Sequence, residues 1–253
     1  MKKIRLDQAL VERGLCESRE KAQRAILAGQ VWIGGHRAAK ASQPVLPETP
    51  VELRAGERYV SRGGEKLAGA LAHFAIAPTG WRCLDVGAST GGFTDCLLQH
   101  GAAAVTALDV GRGQLHWKLR QDPRVDAREG VNARVLDPAV FGSGYDLAVL
   151  DLSFISLRLV LPAAFALLRE GGLACALIKP QFEAGRKQVG KGGIVRDEAV
   201  RQQVIDGLRR WREEILPRAE DLGVAPSVLK GTDGNQEYLW VLRQSGVSSP
   251  PSA

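Results

Sequence analysis

The sequence predicts an α/β fold in two unequal parts. A small basic α+β domain comes first, followed by a Rossmann-like, mostly parallel sheet with helices on both faces. Three observations predict it. The chain's 253 residues exceed most single compact domains and suit two. From about residue 62, short apolar runs alternate with amphipathic stretches, as in strand–helix–strand units. Finally, residues 1–60 hold 11 Lys and Arg against 7 Asp and Glu, while the remaining 193 hold 23 against 21. A cationic excess confined to the first quarter is where a phosphate-binding face would show.

In the front part, Asp7 can cap a helix over Gln8–Arg13 ending at Gly14, and Ser18 a second over Arg19–Ala28 ending at Gly29, with Glu20 favouring the helix dipole. Gln30–Ile33 reads as a strand, Gly34-Gly35 as a hairpin turn, and His36-Arg37 as the return. Pro44, Pro47 and Pro50 precede a short strand, Val51–Leu53. This domain is expected over 1–57, with a linker at 58–61. The second domain, 62–244, reads as helix Glu65–Phe74, strand Arg82–Val86, helix Gly91–Gln99, strand Ala103–Asp109, helix Gln114–Arg120 and weak strand Val125–Arg128. Then come strand Asp146–Asp151, a helix around Leu159–Arg169, strand Leu173–Lys179, the amphipathic helix Asp197–Ile215, and a final strand pair, Val224–Lys230 and Glu237–Leu242. Residues 245–253, rich in Ser and Pro, are expected as a disordered tail.

Composition narrows the class. Apolar residues at 45% and charged residues at 25% fit a soluble globular protein. No signal peptide is expected, because the charged start is followed by no apolar stretch. The longest uncharged apolar run, Leu159–Leu168, is ten residues interrupted by Pro162, against about 20 for a spanning helix. Cys16, Cys83, Cys96 and Cys175 show no metal-like spacing, so free thiols in a reducing cytosol are expected. The four histidines are scattered, and no metal site is expected. Trp32 and Trp117 are assigned to packing.

The most informative segment is Leu84-Asp85-Val86-Gly87-Ala88-Ser89-Thr90-Gly91-Gly92-Phe93, which follows a strand and opens a helix. Glycines there let backbone approach a ligand closely and present free amides. Asp109 ends the next strand, the usual place for a carboxylate that accepts both ribose hydroxyls. Two cofactors compete. A dinucleotide site wants GxGxxG, but here the second glycine is Ser89, and Asp85 would repel a pyrophosphate. The cationic amino and sulfonium groups of S-adenosylmethionine would welcome that carboxylate, which favours the methyl donor. A tight turn with no ligand accounts for the glycines but not for acids at both strand ends. The candidate donor-binding residues are Asp85, Gly87, Ser89, Gly91, Gly92, Phe93, Asp109, Asn132 and Asp151.

Several strings then carry a resemblance. Arg5-Leu6-Asp7, Ser18-Arg19, Gly29-Gln30-Val31 and the Gly34-Gly35 hairpin resemble the S-four RNA-binding domain. The remainder resembles FtsJ-type ribose methyltransferases. Five strings in order make nearly the whole chain similar to the TlyA family, often labelled haemolysin A. They are Ser61-Arg62-Gly63-Gly64-Glu65-Lys66-Leu67, Asp151-Leu152-Ser153-Phe154-Ile155-Ser156, Ile178-Lys179-Pro180-Gln181-Phe182-Glu183, Gly190-Lys191-Gly192-Gly193-Ile194-Val195 and Gly234-Asn235-Gln236-Glu237. The resemblance implies 2′-O-methylation of cytidine ribose in ribosomal RNA, and a Lys-Asp-Lys-Glu catalytic set at Lys66, Asp151, Lys179 and Glu237. A start directly at Lys2-Lys3-Ile4-Arg5 resembles the shorter family members, which implies the large subunit.

The chemistry suits such a set. Methyl transfer to a ribose hydroxyl needs chiefly in-line alignment, at about 3–3.5 Å, and management of one proton. Asp151 and Lys179 follow strong strands; Lys66 opens from a helix and Glu237 starts a strand. Lys179 is favoured to orient or deprotonate the hydroxyl, with Lys66 polarising the oxygen and the two acids positioning the lysines. Each lone charge also reads as a surface ion pair, worth little. Phe154 is a candidate to stack on the target base, or else a core aromatic. The loop Glu183–Val195 reads either as a mobile lid or as a solvated basic loop. Candidate RNA contacts are Arg5, Arg19, Lys21, Arg24, Arg37, Lys40, Arg62, Arg186, Lys187 and Lys191. Three alternatives stand beside the ribosomal RNA reading: a membrane-active haemolysin, a small-molecule methyltransferase, and an RNA-binding assembly factor without turnover.

Overall fold

The computed structural model describes residues 3–53, 58–185 and 188–246, in two compact units that divide between Arg58 and Tyr59. The front unit runs β1 (Ile4–Arg5), α1 (Leu6–Glu12), α2 (Arg19–Leu27), β2 (Val31–Ile33), β3 (His36–Arg37), β4 (Pro44–Val45) and β5 (Val51–Leu53). Leu6, Ala9, Leu10, Ala22, Ala25 and Ile26 close the two helices over Val31 and Val45. Strand β2 lies between β3 and β5, and β1 pairs with β4. Two-residue strands have no period to read, so β1 and β4 were not expected.

Ser18 caps α2 as expected, its Oγ accepting from the Lys21 N–H. Asp7 does not cap α1. The helix begins two residues earlier than expected, at Leu6, because Leu6 and Leu10 form the buried i, i+4 pair. Asp7 is therefore inside the helix and fully buried. Its carboxylate accepts from Arg5, Gln23 and Arg19. The Arg5 guanidinium foremost, with Gln23 and Arg19, holds the group well below the usual carboxylate range against the opposing effect of burial.

The second unit runs α3 (Gly63–His73), β6 (Arg82–Val86), α4 (Gly92–Gln99), β7 (Ala104–Asp109), α5 (Trp117–Arg120), β8 (Val125–Glu129), α6 (Pro138–Phe141), β9 (Tyr145–Leu150), α7 (Leu161–Ala166), β10 (Leu168–Ile178), α8 (Pro180–Glu183), α9 (Glu198–Ile215), β11 (Ala219–Pro226) and β12 (Tyr238–Gln244). The sheet order is β11-β12-β10-β9-β6-β7-β8. Strands β6 to β10 are parallel, and β12 is antiparallel to both its neighbours. The two-residue period divides the strands between two cores. Cys83, Val105, Ala107, Leu147, Val149, Cys175 and Leu177 face α3 and α4. Leu84, Val86, Leu108, Ala148, Leu150, Ala174 and Ala176 face α7 and α9.

Several boundaries differ from expectation. Residues 59–61 are not a linker: Tyr59 is buried in the second unit's core and the Val60 N–H donates to Asp95. The helix expected to reach Arg169 stops at Ala166, and β10 begins at Leu168, with a register shift before Leu173. Gly172 sits in that shift because a Cβ there would lie 2.9 Å from two carbonyl oxygens. Strand β11 ends at Pro226 rather than Lys230, which frees residues 227–237 as a loop. Trp117 is 60% exposed, since Leu119 takes the buried face of α5 and Leu115 the buried side of the segment before it. Trp32 is half-buried in β2. The four cysteines are free thiols, with Cys83, Cys96 and Cys175 buried. Ser245 is tied to Arg218 O; residues 247–253 of the expected tail lie outside the described residues.

Candidate active site

The sheet reverses its strand order at β6, with β7 on one side and β9 on the other, and ligands of open α/β sheets bind at the carboxyl ends of such a pair. Here those ends are Gly87 and Asp151. The Asp151 N–H donates to Val86 O at 3.1 Å. Gly87 has φ +88° and no room for a side chain, because a Cβ would fall 2.5 Å from Asp151 O. The glycine thus lets the two strand ends close on each other.

One cavity of about 620 Å³ opens beside them, lined by Gly87, Ser89, Asp109, Asn132, Asp151 and Phe154 with Leu108, Val110, Leu152 and Ile155. Asp109 is fixed from two sides, accepting the Ser89 N–H and the Gly111 N–H at 2.7 Å each. Ser89 adopts φ +47°, a conformation that costs a side-chain-bearing residue about 1 kcal/mol or more and that the Asp109 contact offsets.

Four of the candidate donor ligands do not line this cavity. Asp85 is fully buried, away from this cavity's lining. Its parity along β6 matches Cys83, which points it under α4, where Thr94 Oγ donates to Oδ2 at 2.6 Å and Oδ1 has no partner. Burial pushes it up to about 7, with Asp151 and Asp109 adding repulsion against the Thr94 hydrogen bond. Gly91 is left-handed (φ +96°) and turned toward Leu115 and Leu119. Gly92 lines the cleft, and a Cβ there would meet Ser61 Oγ and the Gly64 backbone, so its bareness serves the contact of α3 with α4. Phe93 is buried at the same contact.

A second cavity, of about 340 Å³, adjoins the first through Gly87, Ser89, Asp151 and Ser153. It is lined by Ser61, Arg62, Lys66, Lys179, Lys230 and Thr232 among others. The four residues expected to form a catalytic set converge here as two pairs. Lys66 donates to Glu237 at 2.5 Å, with side chains 11% and 3% exposed. Lys179 meets Asp151 Oδ1 at 2.7 Å and donates to Ser153 Oγ at 2.9 Å. Lys179 closes β10 and Pro180 turns the chain into α8, which fixes where the lysine starts.

The five strings meet in space. Glu183, at the end of α8, accepts from Ser156 Oγ at 2.7 Å and the Leu157 N–H at 2.6 Å. Burial raises its pKa, opposed by those two hydrogen bonds. Asn235, buried, accepts the Val195 N–H and donates to Gly193 O, both at 2.9 Å, so part of the expected lid is tied down. Phe154 is no core aromatic: it is 91% exposed, at φ +63°, with its ring 5.1 Å from that of Phe182. Sequence reasoning missed Ser153, Lys230 and Thr232. Ser153 stood inside a quoted string; the other two sat in what was read as strand or loop.

Most of the candidate RNA contacts already hold their own unit together. Arg5 and Arg19 pair with Asp7, Lys21 with Glu17, and Arg24 with Glu20 at 3.4 Å. Arg37 donates to Ala28 O and Gly29 O, capping α2. Lys40 is exposed and has no ion-pair partner among the described residues. Arg62 borders the smaller cavity and donates to Lys230 O. Lys191 is exposed, and Arg186 and Lys187 lie outside the described residues.

Comparison with known proteins agrees with this geometry. The FtsJ-like methyltransferase profile matches residues 59–244 and the S4 domain profile residues 4–51. A Mycobacterium tuberculosis relative named 16S/23S rRNA (cytidine-2′-O)-methyltransferase TlyA is 48% identical over 96% of this chain and 91% of its own. Hemolysin A of Brachyspira hyodysenteriae is 41% identical over 93% of this chain and 98% of its own. A solved Streptococcus thermophilus structure carrying the hemolysin label is 42% identical, with TM-score 0.74, covering 99% of this chain and 90% of that one. Among the described residues no helix is long and apolar enough to cross a membrane. A profile spanning most of the sequence, and relatives spanning nearly all of it, show that the chain belongs to the FtsJ-like methyltransferase family, in its TlyA or hemolysin A branch.

Proposed function

We propose that the chain moves a methyl group from S-adenosylmethionine to a ribose 2′-hydroxyl of ribosomal RNA, with cytidine as the nucleoside. The supporting observation is that two cavities of different chemistry meet at Asp151 and Ser153, with Lys179 beside the junction. The larger cavity fits the donor: apolar walls from Leu108, Val110 and Leu152 for the adenine, Asp109 for the ribose hydroxyls, Asn132 for a ring edge, and Asp151 toward the cationic end. The donor supplies an electrophilic methyl group on a sulfonium.

The chain's own residues do the rest. Lys179 Nζ meets the ribose oxygen and holds or takes its proton while the oxygen is aligned with the methyl group. Lys66, kept in place by Glu237, polarises the same oxygen from the other wall. Phe154 stacks on the target base, its exposed ring offering about 1–3 kcal/mol. Cations of the S4 unit, with Arg62 and Lys191, contact phosphates and so position the RNA without reading its sequence. A chain acting on ribosomal RNA would work in the cytoplasm.

The test is transfer from labelled donor to isolated small and large ribosomal subunits, followed by mapping of the modified nucleotide. Label at a cytidine 2′-oxygen is the expected result. The M. tuberculosis relative is named for both subunits, and the two subunits assayed side by side decide which of them this chain modifies. No label in either subunit or in free ribosomal RNA would overturn the proposal.

A further inference from the structure

We infer that Ser153 is a positioning residue that aims Lys179 Nζ at the junction of the two cavities. This rests on the methyl-transfer reading above. A lysine nitrogen has three polar directions besides its bond to Cε. Ser153 Oγ takes one by hydrogen bond at 2.9 Å, while Asp151 Oδ1 lies 2.7 Å away as an ion-pair partner that is not aligned for a hydrogen bond. Ser153 borders both cavities while Lys179 borders the smaller, so a contact from Nζ to Ser153 Oγ orients the nitrogen along the boundary where methyl group and hydroxyl must meet.

The chemistry favours a hydroxyl at this place. When the ribose O–H bond breaks as the oxygen–methyl bond forms, the carbon–sulfur electron pair leaves with sulfur and the proton passes to the Nζ lone pair. A neutral amine has two N–H groups and one lone pair. Ser153 accepts one N–H group, and the lone pair takes a direction that this contact leaves free. The Ser153 contact does not break when the proton arrives, and the Asp151 carboxylate lies beside the cation that forms. A second carboxylate at 153 would orient the nitrogen equally well but would hold a proton on it; an uncharged hydroxyl orients it without that penalty.

The surroundings hold Ser153 to the task. On one side the Asp151 N–H is bonded to Val86 O and Gly87 leaves room for the Asp151 carbonyl. On the other, Phe154 takes a left-handed turn, and Glu183 grips Ser156 and Leu157. Glu183 lies four residues beyond Lys179 on the element that the lysine opens. The serine and the lysine it orients are thus tied to one another by a second route through α8.

The test compares Ser153→Ala and Ser153→Thr with wild type in single-turnover and steady-state assays on the ribosomal subunit that accepts label. Ser153→Ala is expected to lower kcat roughly 10- to 100-fold, as for a misplaced reacting group, with donor Kd, RNA KM and melting temperature near wild type. Ser153→Thr, which keeps the hydroxyl, should recover most of the rate. A Ser153→Ala enzyme at wild-type kcat overturns the inference while leaving the methyltransferase reading intact, and so does a fall in donor affinity that accounts for the whole loss. Equal loss in both variants also counts against it. A wild-type protein that transfers nothing sinks the functional reading instead, and a crystal structure of Ser153→Ala then decides the positioning role: Nζ should leave the position it holds in wild type, and an unmoved Nζ refutes the role.

Discussion

Lys66 meets Glu237 at 2.5 Å where both side chains are nearly sealed from water. Lys179 meets Asp151 at 2.7 Å beside a carboxylate that keeps 24% of its side-chain surface exposed and a serine that shares the load. Both pairs unite one lysine and one acid, and in both the lysine borders the smaller cavity. Lys66 and Glu237 lie 171 positions apart, joining the start of α3 to the start of β12, and neither borders the larger cavity. Lys179 and Asp151 come from the ends of adjacent strands at the place where the cavities meet. Equal charge with unequal surroundings indicates unequal duties. The first pair is chiefly a wall that also presents a cation; the second is where a proton moves.

Substitution at Lys179 is the strongest way to break that comparison. Lys179→Ala should lower methyl transfer by about 10²- to 10⁴-fold, the range of a positioned acid–base group, with donor affinity by calorimetry unchanged. If the variant turns over normally, the division of duties is wrong. Glu237→Ala asks the opposite question. It leaves Lys66 charged and poorly solvated, and breaking a buried pair costs about 3–5 kcal/mol. Water reaches Lys66 through the cavity, so a loss of about 2–3 kcal/mol in urea unfolding is the expectation. Asp151→Asn, at a wetter pair, should lose less stability and more activity. Equal stability losses would dissolve the distinction.

Asp85 sharpens the comparison from beneath the site, since it is an acid with no lysine. Its folded value, about 7, lies above its ordinary one near 4. The folded state therefore binds the proton more tightly than the unfolded state, and the stability this contributes is complete below pH 4 and lost as pH rises through 7. Between pH 6 and pH 8 the folded protein should lose on the order of 1 kcal/mol from this group, and Asp85→Asn should flatten that part of the curve. Melting temperatures across the interval check it; an unchanged slope in the variant assigns the pH dependence elsewhere.

Much of this was legible in the sequence, and the failures have physical causes. Strand β6 and the start of β8 were found to the residue, and β7 and β9 to within one, because apolar runs between charged ends leave little choice. Lys66, Asp151, Lys179 and Glu237 were named from strings, yet the way they pair was not readable, since nothing local links position 66 to position 237. The burial of Asp85 was readable and was passed over: counting by two from Cys83 along β6 sets it on the α4 face, whatever a ligand would prefer. Ser153, Lys230 and Thr232 could not be found this way, because a serine, a lysine and a threonine in loops have no period. The front cations were taken as candidate phosphate contacts from charge alone, whereas Asp7 and the last carbonyls of α2 already claim three of them.

That last point carries the smallest effect and a direct measurement. Lys40 is exposed and has no ion-pair partner among the described residues, so its removal should disturb nothing but a phosphate contact. Lys40→Ala is expected to keep its melting temperature, to weaken RNA binding modestly, and to lower the slope of log affinity against log salt by about 1. Arg19→Ala should differ in kind. It takes one of four donor residues from a fully buried carboxylate, and such a loss costs about 1–3 kcal/mol, so the melting temperature falls along with the RNA affinity. If Lys40→Ala leaves the salt slope untouched while Arg19→Ala lowers it, the front unit binds RNA through its paired arginines, and pairing in that unit, unlike at Lys66, does not mark a residue as scaffold.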